Sequence, residues 1–316
     1  GRLGKTHSHD LCARKNARLL KILQKKYFCG ISRFKKRPNP GGNQERFYMR
    51  FIADQDYHIH SGLSLCSDDP KQTPQAILDF SKKNGFKKIC LTDHYWDESV
   101  PKAGSIDFYD IQNTAYIKKA LPLPQDDEVE YHFGAEVDMD KNYTIGIGDK
   151  MINELDFIVV PTTHLHFVGF TIDEKDTSLE RRADIFVKRF EKLLDADLPF
   201  HKVGLAHITC TLMAPGDFQN HLTVLDMVDD KTFRELFTRT AKCGMGVEIN
   251  FEPSDYSGDD IARVKRPYLI AKECGCKFYM ATDAHHNEEL ASAKADFDRR
   301  TDFLGLKEEQ KFKPFG

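Results

Sequence analysis

Residues 56–69 read DYHIHSGLSLCSDD: an apolar lead-in, two histidines one residue apart, and a lone cysteine six residues past the second. Side chains two apart on a strand share a face, so an extended segment here points His58 and His60 the same way. Such a pair proves little alone, because 13 histidines in 316 residues give roughly half of one His-x-His by chance. This chain has three: His7/His9, His58/His60 and His164/His166. Their meaning depends on the elements that carry them.

Outward from residue 56, short β-branched and aromatic runs alternate with stretches of helical period. DYHI is followed by TPQAILDFSKKNG, in which Thr73 sits at an N-cap, Pro74 at the first helical position and Gly85 just past the end. KKICLTDH is the next strand. A helix near 107–119 leads to VEYHFGAEV and then DFIVVPTTH. A long helix at 177–195 carries Phe186, Phe190 and Leu193 on one face. VGLAHI, a helix near 230–242, GVEINF, a helix near 260–273 and KFYMATDAHH complete seven strands alternating with helices. Crossover helices make successive strands parallel, and seven such units fit a closed seven-stranded β/α barrel better than two doubly wound domains. No G-x-G-x-x-G or G-x-x-x-x-G-K-[ST] occurs at a strand-to-helix turn, which disfavours a nucleotide cradle.

Charge divides the chain at about residue 50. Residues 1–50 hold 14 Lys/Arg against two acidic residues, whereas residues 51–316 hold 32 against 47. A basic N-terminal extension, with an amphipathic run at ARLLKILQKKYFCGISRF and a linker at RPNPGG, therefore precedes an acidic catalytic domain at 51–316. A transit peptide, a nucleic-acid arm and an inert extension all fit residues 1–50. No apolar run approaches the length of a membrane span. Eight scattered cysteines read as free thiols of a reducing compartment, which places the protein in the cytoplasm.

In a β/α barrel the site forms at the C-terminal ends of the strands. The seven predicted strands end, in order, in His58 and His60; His94; Glu136; His164; His207; Glu248 and Asn250; Asp283 and His285. A single histidine at a strand end is most often a hydrogen-bonded, partly buried residue. Six strands repeating the placement point instead to a centre for two or three divalent ions, because imidazole and carboxylate are the ligands of zinc, manganese and iron. Asp56, Asp93 and Asp138 are read as groups that orient the histidines. His166 and His286 stand beside the set as spares, His166 sharing a strand face with His164.

The ordered series H-x-H, TDH, G-x-E, His164, His207 and D-x-H over about residues 54–290 resembles the PHP (polymerase and histidinol phosphatase) superfamily, in its histidinol-phosphatase-like branch. The resemblance implies a distorted seven-stranded β/α barrel holding a trinuclear centre that hydrolyses phosphoesters. It implies one ion at His58, His60, Glu136 and Asp283, and a second bridged by Glu136 to His164 and His207. A third would lie at His94 and His285 with position 66, where many family members have histidine and this chain has Cys66. It also implies that Glu248 and Asn250 form a pocket wall.

The expected chemistry is attack on a small phosphomonoester by a hydroxide bridging two ions, with Glu136, Asp283 and His94 as the catalytic candidates. Arg181, Arg182, Arg263, Lys265 and Arg266 follow strands but sit on helices, and none is assigned to phosphate. Two other functions fit less well. An amidohydrolase-type enzyme also opens with H-x-H but favours eight strands and a bridging lysine. A metal-binding or nucleic-acid-binding module, exonuclease or non-catalytic, would use the basic arm, yet the acidic barrel opposes wide contact with a polyanion. The expected partner is a small phosphorylated substrate, with no membrane association and no oligomeric state legible.

Overall fold

The first strand, β1 (Gln55–Ile59), is wholly buried. The helix after it, α1 (Pro74–Asn84), starts and stops where its capping residues predict: Thr73 accepts the Ala76 amide, and Gly85 ends it in the left-handed region at φ 73°. This computed structural model describes residues 49–104 and 106–315. The basic arm, with its expected helix and His7/His9, lies outside the described residues, and one compact unit spans Phe47–Gly316.

The single strand expected at KKICLTDH is broken into β2 (Lys88–Leu91) and β3 (His94–Tyr95). At the break Thr92 turns to β1: its amide donates to the Ile59 carbonyl at 2.8 Å and its hydroxyl accepts the Ile59 amide at 3.0 Å. The helix expected at 107–119 is likewise divided, into α2 (Asp107–Ile111) and α3 (Thr114–Ile117), because Asn113 caps the second by accepting from Tyr116. Then follow β4 (Glu130–Val137), α4 (Asp149–Glu154), β5 (Phe157–Pro161) and α5 (Leu179–Asp195), whose buried face includes Phe186, Phe190 and Leu193 as its period requires. The chain continues through β6 (Val203–Ala206), α6 (Gln219–Met227), α7 (Asp230–Cys243), β7 (Gly246–Ile249), α8 (Asp260–Glu273) and β8 (Lys277–Met280). It ends with α9 (Asn287–Leu290) and α10 (Ala293–Leu304). The helices α4 and α6 and the two C-terminal helices go beyond the elements read from sequence.

All strand pairings are parallel, in the order β1-β2-β4-β5-β6-β7-β8 with β3 beside β4, so seven positions form the wall. Just past β8 the barrel nearly closes through a parallel bridge between Ile59 and Ala284. There the His60 amide donates to the Ala284 carbonyl at 3.0 Å, and the Asp283 amide to the His58 carbonyl at 2.8 Å. The β1–β2 register slips between Asp56 and Ile59. Tyr57 consequently packs inside with Phe157 and Tyr279, although His58, the next residue, also faces the interior nearer the top.

An aromatic floor fills the lower barrel: Tyr57, Phe157, Tyr279 and Phe312 are buried together and Phe315 packs beneath them. Two of these come from the segment after α10, where the Phe312 amide donates to the Phe278 carbonyl at 2.7 Å. Outside the wall, Ile158, Val160, Leu205 and Val247 belong to one core with Phe186, Phe190, Phe233 and Phe237 of the helices. Gly204 is required by this interior, since a Cβ there would strike the Tyr279 hydroxyl and lie 2.7 Å from Phe157 Cζ. Gly204→Ala should therefore lower unfolding stability by about 1–3 kcal/mol in urea titration, whereas Gly244→Ala, a helix-end site with nothing within 4 Å of an added Cβ but φ 81°, should lose only its backbone preference.

Candidate metal centre

Glu136, near the end of β4 and 1 % exposed, stands at the middle of the strand ends. Its two oxygens face different histidines. Oε2 lies 3.5 Å from His58 Nε2, 3.5 Å from His60 Nε2 and 2.8 Å from His94 Nδ1. Oε1 lies 3.1 Å from His207 Nε2 and 3.6 Å from His164 Nε2. Asp283 Oδ1 approaches from the far side, 3.4 Å from His58 Nε2 and 3.1 Å from His60 Nε2. Asp283 has a left-handed backbone, φ 55°, held by its amide bond to the His58 carbonyl, and this turns its carboxylate inward.

Except at His94, the far nitrogen of each histidine meets a second group. His58 Nδ1 meets Glu248 Oε2 at 2.9 Å, and that carboxylate also accepts from the Tyr279 hydroxyl at 2.9 Å. His60 Nδ1 meets Ser64 Oγ at 2.8 Å, while Ser64 donates its own proton to Asp93 Oδ1 at 2.8 Å. Asp138 Oδ2 holds His164 Nδ1 at 3.0 Å and the Tyr109 hydroxyl at 2.8 Å, and its Oδ1 holds buried Arg189 at 2.8 Å. Thr163 Oγ1 lies 2.9 Å from His207 Nδ1, and the Asp283 carbonyl lies 2.8 Å from His285 Nδ1.

These outer bonds decide the tautomers. Both Nδ1 atoms of His58 and His60 donate, which leaves their Nε2 lone pairs facing each other at 3.0 Å. Two acceptors at that distance repel unless a proton on His58 or a metal cation lies between them; burial disfavours that proton, but Glu248, Asp283 and Glu136 outweigh it. His94 Nδ1 is likewise buried and close to Glu136, yet not directed as a hydrogen bond requires. Metal–ligand bonds of about 2.1 Å put neighbouring ligand atoms about 3.4 Å apart around a tetrahedral ion. The 3.0–3.5 Å separations among His58, His60, Glu136 and Asp283 meet that spacing, so the residues fit a divalent ion.

Three groupings bring ligand atoms within 4.8 Å of one another: His58, His60, Glu136 and Asp283; Glu136, His164 and His207; and His60, His94 and His285. Eight of the nine expected ligand residues thus converge. Cys66 lies outside the groupings, on the exposed rim, where its thiol hydrogen-bonds His285 and His94. Burial opposes ionisation of that thiol, but the two imidazoles outweigh it and bring it down to about 7; His285, opposed by burial but favoured by Cys66 and Asp283, rises to about 9. At Glu136 burial would raise the carboxyl, yet His94, His58 and His164 hold it well below its ordinary range.

The structure revises the roles of several residues. Glu248, expected in a pocket wall, is fully buried behind His58, because β7 turns it into the barrel interior rather than the mouth. Asp93 and Asp138 do orient histidines, but Asp56 ties Thr282 to β1, with bonds of 3.0 and 2.8 Å, and touches no ring. His166 lines the mouth and joins no metal grouping. Arg182 caps the Leu165 and Met213 carbonyls, and Arg181, Arg263 and Arg266 pair with acids on the outer helices. Arg189 was missed, although an arginine inside the apolar stripe of Phe186, Phe190 and Leu193 is a readable sign of a buried partner.

A parallel barrel with a carboxylate between two sets of imidazoles is the architecture of a divalent-metal centre. The chain matches the PHP domain over residues 56–252, most of its length, and it belongs to that family. Among solved structures it is similar to histidinol phosphate phosphatase from Lactococcus lactis subsp. lactis Il1403, complexed with zinc, L-histidinol and phosphate, at 16% identity and TM-score 0.53, covering 83% of this chain and 99% of that one. Weaker likenesses are to an archaeal ribonuclease P structure with mature tRNA (11% identity, TM-score 0.36, 79% and 87% covered) and D-hydantoinase from Bacillus sp. AR9 (11%, 0.36, 72% and 46%). No curated protein matches the sequence.

Because Glu248 polarises His58 from behind, Glu248→Gln should weaken metal binding about 10–100-fold in a chelator competition, with far-UV circular dichroism unchanged. Unaltered affinity would show that the carboxylate's charge does not reach the ion.

Proposed function

We propose that this protein hydrolyses a small phosphomonoester at a centre of two or three divalent ions. The observation that carries this reading is the division of Glu136, one oxygen toward His58 and His60 and the other toward His164 and His207. Dications on either side of such a carboxylate lower the pKa of a shared water and offset the charge that grows on a transferring phosphoryl group. The chain's own contribution is positional. Asp283 and Glu136 hold their negative charge toward the histidines, His58, His60 and His164 are held with Nδ1 protonated by the groups behind them, and Thr163 orients His207.

Imidazole and carboxylate suit zinc, manganese or iron. At the rim, His94 and His285 would hold a third ion with Cys66, whose thiolate would bias that position toward zinc. Glu136, Asp283 and His94 are the residues we assign to catalysis. Among the described residues no helix is long and apolar enough to cross a membrane, and six cysteines are free. Free thiols fit a reducing compartment, and we place the protein in the cytoplasm. We assign residues 51–316 to the catalytic domain and the basic residues 1–50 to an extension that turnover does not need.

Elemental analysis after metal-supplemented growth should find about two to three transition-metal ions per chain, and fewer than one would overturn the reading. Glu136→Gln should abolish hydrolysis of phosphomonoesters while the fold persists. Cys66→Ser should release about one ion per chain, and Cys66→His should restore it. If Cys66→Ser keeps its full metal content, the thiol is not a ligand. Deletion of residues 1–48 should leave turnover within a few-fold; a large loss would move the domain boundary.

A further inference from the structure

The opening above the centre is a cavity of about 210 Å³. Sites that accept drug-sized molecules span roughly 300–1,000 Å³, so this one takes a phosphate and a small group attached to it. Its outer wall is apolar: Phe108 from α2, Phe167 from the loop after β5, and Leu212 after β6. Phe108 stands edge-on to His94 with ring centroids 5.1 Å apart and lies 5.3 Å from Phe167, whose ring is tilted at 40° to His166 with centroids 3.9 Å apart. This wall is braced. Tyr109, next to Phe108, packs on Trp96 and Phe170 and donates to Asp138, the same carboxylate that holds His164.

Charge at the mouth is one-sided. Among the described residues no lysine or arginine lines it, and its two carboxylates, Glu136 and Asp283, already face histidines. A second phosphate on the substrate would find no cation, and an ammonium would find no free carboxylate; either would be desolvated without a partner. Besides Cys66, whose thiol faces His285 and His94, one polar side chain remains. His166 lines the cavity outside the metal groupings, and its Nδ1 is enclosed with no hydrogen-bond partner.

Resting on the phosphatase reading, we infer that the wall of Phe108, Phe167 and Leu212 selects a phosphomonoester whose leaving group is a small, uncharged, apolar or aromatic alcohol. His166 takes one hydrogen bond from a hydroxyl or ring nitrogen on that group. It is a specificity residue, not a ligand.

The test compares primary alkyl phosphates of similar intrinsic reactivity on the full chain loaded with Mn²⁺ or Zn²⁺: benzyl phosphate, 3-hydroxybenzyl phosphate, glycerol 3-phosphate and histidinol phosphate. Benzyl phosphate should exceed glycerol 3-phosphate and histidinol phosphate by about tenfold in kcat/KM. The hydroxybenzyl ester should exceed benzyl by a further few-fold. Phe167→Ala and Leu212→Ala should each pull the benzyl-to-glycerol ratio toward one, and His166→Ala should remove the gain from the hydroxyl. Glycerol 3-phosphate or histidinol phosphate turned over as well as benzyl phosphate overturns the inference, as does an unchanged ratio in both wall variants. An unchanged hydroxyl preference in His166→Ala overturns the role of His166. No turnover of any ester by metal-loaded protein overturns the phosphatase reading itself, and with it this inference.

Discussion

Everything at the top of this barrel answers to one buried carboxylate. Glu136 is shut away from water, and an ionised carboxylate in that position costs several kcal/mol unless positive or donating groups surround it. The protein surrounds it with five imidazoles from four other places in the chain, so that strands distant in sequence are drawn to a common point. Each imidazole in turn brings its own requirement. A ring nitrogen aimed at the centre leaves the opposite nitrogen buried, and that nitrogen needs an acceptor.

The acceptors are what knit the centre to the fold. Asp138 joins a histidine after β5 to Arg189 on α5 and to Tyr109 on α2, so one carboxylate couples three elements. Tyr279 does the same vertically: its ring belongs to the aromatic floor, and its hydroxyl reaches up to Glu248 behind His58. The space that lets it do so is the missing side chain at Gly204. Packing and chemistry are therefore not separate layers of this molecule. A change in the floor is transmitted to a ring at the centre through one hydrogen bond.

Most of the centre was legible in sequence because each ligand falls at or just past the end of a strand read from the hydrophobic pattern, and strand ends are local features of that pattern. His58, His60, His94, Glu136, His164, His207, Asp283 and His285 could be read in chain order. What could not be read depends on pairs far apart. The break between β2 and β3 is made by Thr92 bonding to β1, 33 residues away. Glu248 looked like wall because nothing near it in sequence reveals the ring of His58, 190 residues away. His164 and His166 are equivalent by spacing, and only the position of Asp138 distinguishes them. The aromatic segment at 312–315 carried no signal of its own, since its partners are the interiors of strands β1, β5 and β8.

That last segment has a bearing on how the molecule comes into being. A chain made from its N-terminus exposes Tyr57 and Phe157 long before Phe312 exists to cover them, and the bridge between Arg50 and Lys307 joins the two extremes of the domain. Strands that must wait for a distant partner fold late and leave sticky surface open meanwhile. On the ribosome this barrel is thus an unsealed cup until residues 307–315 emerge. Its open interior in that interval, rather than the finished barrel, is the surface exposed to aggregation.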